Sequence, residues 1–366
     1  MSNAFRDLLR KVGSGNHTRK DLTRTEAAAA TRMMLLGEAT PAQIGAFLIA
    51  HRIKRPTGAE LAGMLDIYDE LGPKLQPIGR SRPVMVLGIP YDGRDRTAPI
   101  SPLTALLLTA AGQPTIMHGS DRMPTKYGVP LVEIWQGLGV DWAQLALDRT
   151  QQVFETTGLG FVYLPQHFPL AQNIFEYRDQ IGKRPPFATM ELMWCPYAGA
   201  AQIVTGYVHP PTEHMFQVAL SLRDTNNFTT VKGLEGSCDL PRERTNIIGL
   251  STPNTTDESG LIAIERLHLS PRDYGFSSHN VPCDATEHLV TDMRSVLQGK
   301  PSELMQSAIW NGGFYLWRAG ICPDIQAGID RAATMFANGE VAQQLTRVIQ
   351  AIESIQVRDR SYSQLL

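Results

Sequence analysis

Apolar residues recur at helical spacing through the first 72 positions of the chain. In the first segment Phe5, Leu8 and Val12 fall on one face of a helix, and the glycines at 13 and 15 end the run. Three later segments each open with a threonine; the hydroxyl of the first, with an acid nearby, suits the free amide groups of a helix start, and the second is followed by a proline, which a first turn tolerates. These threonines are Thr23, Thr40 and Thr57. The pattern therefore predicts four helices before Pro73.

From residue 84 onward, short apolar runs alternate with longer amphipathic segments. The predicted strands are 84–88, 114–118, 160–164, 202–208, 228–232 and 246–250, and the helices among them are 102–111, 129–138, 167–181 and 212–223. Further helices are predicted near 285–298, 301–319, 324–337 and 340–357. Strands that alternate with helices favour a mostly parallel sheet with crossover helices. The polar segment 251–280 is predicted to be irregular.

This change of pattern divides the chain and sets the expected fold class. A length of 366 residues is enough for about two domains. We expect an α/β protein that combines a small all-helical domain with a larger α/β domain built on a mostly parallel central sheet. The helical domain is expected to cover residues 1–73, with a linker at 74–82 and the α/β domain beginning at residue 83.

Composition excludes several classes of protein. The chain is 43% hydrophobic and 19% charged with a formal net charge of −2, which excludes a disordered or uniformly polybasic chain but leaves a local basic patch open. No apolar run reaches the roughly 18 residues of a membrane span, and the first residues carry charges where a signal peptide needs an apolar core. The four cysteines show no C-x-x-C spacing and are expected to be reduced thiols. We therefore expect a cytoplasmic protein.

Candidate chemistry begins in the loops after the first two strands. Its residues are Gly88, Asp92, Gly93, His118, Gly119, Ser120 and Lys126. Because ligands of parallel sheets bind beyond the carboxyl ends of the strands, both loops are predicted to open onto one crevice. Asp92-Gly93 is either a tight turn or part of a phosphate cradle. His118 is either a donor to a phosphate or carbonyl oxygen or a buried, hydrogen-bonded residue.

A set of cationic side chains falls on the same loops and on the segment before Pro185. Its members are Arg94, Arg96, Arg122, Lys126, Arg178, Lys183 and Arg184. Arginine forks bind planar and tetrahedral anions, so convergence of these residues on one crevice would make an anion site. Dispersal over the surface would leave them as solvated charges.

Two acids, Glu235 and Asp239, follow in a glycine-rich loop. Together they could hold Mg²⁺ beside a phosphate, although surface loops often carry such residues and the two are not adjacent. Five other histidines lack any metal-site spacing and are given no role. They are His209, His214, His268, His279 and His288.

The chain resembles the anthranilate phosphoribosyltransferases of the glycosyltransferase class over nearly its whole length. The likeness lies in residues 35–53, in the run from Gly160 to Pro169, and in Asn311 and Gly320. It implies that a helical insert at about 166–195 joins the helical domain, which leaves 83–165 and 196–366 for the α/β domain. It also implies phosphoribosyl pyrophosphate in the cleft between the domains, and a homodimer joined through the helical domains.

The motifs of that family are altered in this chain. Its Gly-Thr-Gly-Gly-Asp loop is Gly88-Ile89-Pro90-Tyr91-Asp92 here, its Lys-His-Gly-Asn is Met117-His118-Gly119-Ser120, and its Ser-Ser-Lys-Ser-Gly is Pro124-Thr125-Lys126-Tyr127-Gly128. Arg178 matches the arginine that binds the aromatic substrate, whereas the Asp-Glu metal pair is not kept as a pair near 235–239. Proline removes an amide donor and tyrosine adds bulk where a pyrophosphate would approach. The likeness thus implies a protein of the transferase class whose substrate is not identified. It implies bound Mg²⁺ only if phosphoribosyl pyrophosphate binds.

The chain is most similar to a divergent, anthranilate phosphoribosyltransferase-like branch of the family. The shared features are Tyr91-Asp92-Gly93, Pro102-Leu103, and His118-Gly119 followed by Pro124-Thr125. This resemblance implies an alternative function, non-catalytic nucleic-acid binding through a basic groove on the same fold. The contacts would come from Arg94, Arg96, Arg122, Lys183 and Arg184. A dimer that acts through protein partners is a third possibility, for which the sequence offers no direct support.

Overall fold

Four helices open the chain in the computed structural model, which describes the backbone of residues 3–363 and the side chains of residues 3–357. They are α1 (Asn3–Gly13), α2 (Arg24–Leu35), α3 (Pro41–Lys54) and α4 (Gly58–Leu71). The hydroxyl oxygens of Thr23, Thr40 and Thr57 each accept a hydrogen bond from the amide three residues on. The side chain at that position in turn accepts a hydrogen bond from the threonine amide. The four predicted helices and the predicted cap at Thr23 are therefore confirmed, and Thr40 and Thr57 cap their helices in the same way.

Short helices fill the middle of the chain. They are α8 (Leu164–His167), α9 (Pro169–Gln172), α10 (Phe175–Ile181) and α11 (Phe187–Met190), followed by a 3₁₀ turn at Glu191–Met193. Helix α10 packs against α3, and α11 packs against α4. The prediction of one helix over 167–181 is wrong. Phe168 leaves the helical region at φ −138°, and the next residue is proline, which has no amide to continue a helix.

A seven-stranded sheet forms the centre of the larger part of the molecule. Its strands are β1 (Val84–Leu87), β2 (Thr115–Gly119), β3 (Leu159–Tyr163), β4 (Ala201–Gly206), β5 (Phe228–Val231), β6 (Asn246–Thr256) and β7 (Ile262–Leu269). The order is β3-β2-β1-β4-β5-β6-β7. Strands β1 to β5 run parallel, β6 is antiparallel to β5, and β7 is antiparallel to β6. The sheet is therefore mostly parallel, and the predicted fold class is confirmed.

The sheet separates two hydrophobic cores. Met85 and Leu87 face one core, whereas Val84 and Val86 face the other, as the alternation of a strand requires. The first core contains α5 (Ser101–Ala110), α6 (Leu131–Gly137), α13 (Thr286–Leu297), α14 (Glu303–Arg318), α15 (Ile325–Ala337) and much of α16 (Glu340–Ser363). The second core joins the sheet to the N-terminal helices and to α12 (Pro210–Ser221).

Two elements depart from the sequence predictions. The segment 251–280 is irregular only in part, because residues 251–256 complete β6 and residues 262–269 form β7, and the two strands pair as a long hairpin. Its side chains are largely exposed, so little apolar alternation marked it as a strand. Helix α7 (Leu147–Thr157) was not predicted, since only Val153 and Phe154 supply large buried apolar side chains. Within the described residues no helix combines the length and apolarity needed to cross a membrane.

Candidate functional site

The loops that follow β1 and β2 lie side by side at the carboxyl edge of the sheet. The Gly128 amide donates to the Asp92 carbonyl over 3.0 Å, and Arg94 and Val129 exchange backbone hydrogen bonds of 3.2 and 2.8 Å. Gly93 has φ 76°, and a Cβ there would lie 2.4 Å from the Gly128 oxygen. Glycine is therefore required at this contact, and the two loops form one continuous surface.

Tyr91 and His118 occupy the interior of this surface. The Tyr91 hydroxyl lies 2.5 Å from His118 Nδ1, and the Trp194 ring packs edge-on against the imidazole at 5.2 Å. A Cβ on Gly88 would lie 2.0 Å from the Leu192 carbonyl oxygen, so the chain around Trp194 covers the start of the loop. Gly119 and Ser120 are buried behind the histidine. Burial lowers the pKa of His118 to about 3, which keeps the imidazole neutral.

Arg178 lies on α10 and is fully buried against a carboxylate. Its guanidinium is paired with Glu191, lies 4.8 Å from the centre of the Phe175 ring, and donates to Met123 Sδ over 2.8 Å. The Tyr68 hydroxyl is 3.4 Å from the same carboxylate. Burial raises the pKa of Glu191 by more than the arginine lowers it. The Arg178 guanidinium is therefore occupied by side chains of the protein, chiefly the Glu191 carboxylate.

Glu235 and Asp239 are held by cations rather than exposed to a ligand. Arg94 donates to Glu235 over 3.2 Å and to Asp239 over 2.8 Å, and Lys126 is paired with Glu235. The amides of Asp95, Arg96 and Thr97 also donate to the Glu235 carboxylate. Burial alone would raise the pKa of Glu235, but hydrogen bonding with Asp95 and Lys126 and the Arg94 charge hold it well below its usual range.

These contacts decide whether the two acids suit Mg²⁺. Both oxygens of Glu235 accept several donors, and Asp239 Oδ2 accepts from Arg94 and from the Ile100 amide. Magnesium needs free oxygen ligands, usually with waters, and two cationic side chains already balance the two carboxylates. No cluster of three or more His, Cys, Asp or Glu able to hold a metal occurs in the part of the chain that the structure describes. The residues present do not fit a magnesium site.

The remaining cations do not form one cluster. Arg122 is paired with Glu133, Arg184 is paired with Asp92, and Arg96 is 72% exposed beside Glu235. Lys183 is exposed on the turn after α10. Arg122 and Lys126 border an open pocket of about 550 Å³ that also contains Glu133, Asp284 and Glu287. The predicted cations therefore do not converge on one anion site. Of the remaining cations, all of which the structure describes, only Arg122 shares a pocket with Lys126, and that pocket also contains acids.

Sequence reasoning missed three residues of the site. Glu191, Trp194 and Tyr68 surround Arg178 and His118, although they carry no motif. One signal was available for Glu191, which is the only acid between Asp179 and Glu213 and stands in an apolar run. An isolated acid in such a run is buried only if it is paired, and this points to a partner cation.

Comparisons with known proteins cover nearly the whole chain. The model of a glycosyl transferase family helical bundle domain matches residues 6–72, and that of a glycosyl transferase family α/β domain matches residues 92–342. The anthranilate phosphoribosyltransferase of Polynucleobacter asymbioticus is 26% identical over 343 residues, covering 92% of this chain and 95% of the relative. That of Symbiobacterium thermophilum is 28% identical over 346 residues, covering 93% and 96%.

Solved structures of the same enzymes share the fold. Anthranilate phosphoribosyltransferase from Thermus thermophilus superposes with a TM-score of 0.77 at 20% identity, over 96% of this chain and 100% of the other. The enzyme from Saccharomyces cerevisiae in complex with PRPP and Mg gives a TM-score of 0.80 at 14% identity, over 96% and 99%. At these identities the superpositions show a common fold.

Proposed function

The chain belongs to the glycosyl transferase family that combines a helical bundle domain with an α/β domain. We propose that it is a phosphoribosyltransferase-like protein that lacks a binding site for a magnesium–pyrophosphate group. In this proposal it does not transfer phosphoribose to anthranilate. It binds a phosphorylated sugar or a similar small anion, without metal, in the pocket beside Lys126 and Arg122.

The Glu235 carboxylate is the observation that carries this proposal. It accepts the amides of Asp95, Arg96 and Thr97, and it is paired with Arg94 and Lys126. Backbone amides and a lysine are the donors that phosphate sites use. An anion from the protein itself therefore occupies these three amides and the buried Arg94, whereas Lys126 also borders the open pocket.

The aromatic and arginine parts of the crevice support the same conclusion. Tyr91 and His118 fill the loop interior and bond to each other, while Pro90 has no amide to donate. Arg178, which matches the aromatic-substrate arginine of the family, is paired with Glu191 and 1% exposed. An incoming aromatic acid would have to displace the buried Glu191 carboxylate from Arg178.

Calorimetry with phosphoribosyl pyrophosphate tests the proposal directly. We expect no binding at about 1 mM ligand, the upper end of ordinary Michaelis constants, with or without Mg²⁺. We also expect no phosphoribosylation of anthranilate, with the Thermus thermophilus relative as positive control. Magnesium-dependent binding in the micromolar range would refute the proposal.

A second measurement tests the positive part. Ribose 5-phosphate should raise the thermal unfolding midpoint of the protein in a buffer that contains a chelator. Lys126→Gln should abolish this shift, since Lys126 borders the pocket, whereas Arg347→Gln on α16 should leave it unchanged. A shift that needs Mg²⁺, or one that survives Lys126→Gln, would contradict metal-free binding in this pocket.

Nucleic-acid binding is the second candidate function. Arg96 and Lys183 are exposed, and the groove next to Arg184 has no acid among its lining residues. If this candidate holds, affinity for single-stranded DNA should fall steeply as salt rises, because bound counterions are released. A flat salt response, or no binding at low salt, would exclude it.

The location, oligomeric state and domain bounds of the protein form a separate proposal. We propose a cytoplasmic homodimer joined through the helical domain, which would consist of residues 1–73 and the insert at about 166–195. The other parts, 83–165 and 196–366, would make the α/β domain; residues 1–2 and 364–366 lie outside those that the structure describes. Analytical ultracentrifugation should give twice the mass of the 40.4 kDa chain. A monomer at all concentrations would refute the dimer.

A further inference from the structure

A groove of about 1190 Å³ lies between the N-terminal helices and α12, outside the crevice. We name it the arginine groove. Its polar lining consists of Arg52, Arg55, Thr57, Arg184, Thr189, His209, Thr212 and His214, and none of its lining residues is an acid. The altered motifs and the proposed phosphosugar site do not account for this groove, which so far supports only the nucleic-acid alternative.

The positive charge of the arginine groove is not cancelled from within. Arg52 Nη1 donates to the Arg184 carbonyl over 3.0 Å, which holds the Arg52 guanidinium beside the Arg184 backbone. Arg184 is paired with Asp92, whereas Arg52 and Arg55 make no ion pair among the described residues. Two exposed arginines at the end of α3, with no acid on the groove walls, favour an anionic occupant.

The walls of the groove are aliphatic. They consist of Ile53, Pro56, Ala59, Pro185, Pro186, Pro210, Pro211, Met215 and Val218, with Gly58. Ile53 is 64% exposed, a large value for an isoleucine. No Phe, Tyr or Trp lines the groove, so stacking of single-stranded bases has no platform there. Aliphatic walls instead favour burial of a saturated chain.

We propose that the arginine groove binds an amphipathic organic phosphate with an aliphatic body. The phosphate is held by Arg52 and Arg55, and the body lies along Ile53, Met215 and the proline wall. This site is distinct from the pocket of the proposed function, and it differs from a nucleic-acid site by needing an apolar body. The same chemistry occurs in a free alkyl phosphate and in a phosphatidic acid headgroup.

Calorimetry with octyl phosphate below its micelle concentration tests the proposal. Inorganic phosphate tests the head alone and octyl glucoside tests the body alone; each should bind at least about tenfold more weakly. The affinity for octyl phosphate should fall about tenfold in each of the variants Arg52→Gln, Arg55→Gln and Ile53→Ser. The first two remove a charge-assisted contact and the third removes an apolar one. Arg347→Gln, a surface arginine elsewhere, should have no effect. Thermal unfolding of each variant confirms that it is folded.

Each other outcome overturns the proposal. Equal binding of octyl glucoside would show that charge is irrelevant, and equal binding of inorganic phosphate would show that the body is irrelevant. Single-stranded DNA that binds through Arg52 while octyl phosphate does not would favour the nucleic-acid function instead. If octyl phosphate binds, vesicles with and without phosphatidic acid identify the source as a lipid headgroup or a free phosphate. The result with phosphoribosyl pyrophosphate is independent, since that ligand reports on the crevice.

Discussion

The crevice and the arginine groove contain the same type of residue in opposite states. In the crevice, Arg94 and Arg178 are 1% exposed, and each is bound to a carboxylate of the protein. In the groove, Arg52 and Arg55 are exposed, and no acid lines the walls. The number of arginines therefore does not identify an anion site. The arrangement of acids around them does.

The difference has an energetic consequence. Two buried charges lose their hydration, so a buried pair stabilises the fold little, yet removal of one partner leaves the other uncompensated. An exposed arginine without a partner contributes little to folding and remains available to a ligand. Substitutions of the buried crevice arginines should thus act mainly on stability, and substitutions of Arg52 and Arg55 should act mainly on binding.

The largest expected effect comes from Arg178→Met. It leaves the Glu191 carboxylate buried without its cation, so the free energy of unfolding measured in urea should fall by about 3 kcal/mol or more. Adding Glu191→Met to the same chain should restore most of that loss, because both charges are then gone. A single variant as stable as the unaltered protein would show that the pair is not buried.

The next effect concerns pH. His118 has a folded pKa of about 3 against an ordinary 6.5, so the unfolded chain takes up the proton first as pH falls. The contribution to stability is complete above pH 6.5 and is lost between pH 6.5 and 3. Between pH 6.5 and 5 the loss should be about 2 kcal/mol in urea unfolding. His118→Gln should show a correspondingly shallower pH dependence, and an equal dependence would contradict the burial of a neutral imidazole.

A smaller effect is expected at Arg55, which has φ 67°. A side chain disfavours this conformation, and Arg55→Gly should therefore raise the free energy of unfolding by about 1 kcal/mol. The same variant should weaken octyl phosphate binding about tenfold, because the cation is lost. Gain of stability with loss of binding would sharpen the contrast between the two regions. A loss of stability would show that the arginine makes compensating contacts.

The smallest effect is expected for Arg52→Gln. Among the described residues the only hydrogen bond of its side chain is to the Arg184 carbonyl, so the free energy of unfolding should change by less than about 0.5 kcal/mol. Arg347→Gln is the matched surface control. A loss comparable to that of Arg178→Met would remove the distinction between groove and crevice.

Several features of the fold were predictable because their causes are local. The threonine caps of α2, α3 and α4 and the apolar runs of β1 to β5 depend on residues a few positions apart. The hairpin of β6 and β7 was not predictable, since its exposed side chains obey no apolar alternation. Helix α7 was missed because Val153 and Phe154 are its only large buried apolar side chains, which is too few to mark a helical face.

The candidate site divides in the same way. The sequence by itself determined the loops at the carboxyl edge, the absence of an amide donor at Pro90 and the presence of seven cations in those loops and in the segment before Pro185. Only the tertiary structure decided which cations are free, because Glu235 reaches Arg94 from 141 residues away, and Asp92 meets Arg184 across 92. Charge is a property of a residue, whereas its neutralisation depends on which distant acid the fold brings within a few ångströms.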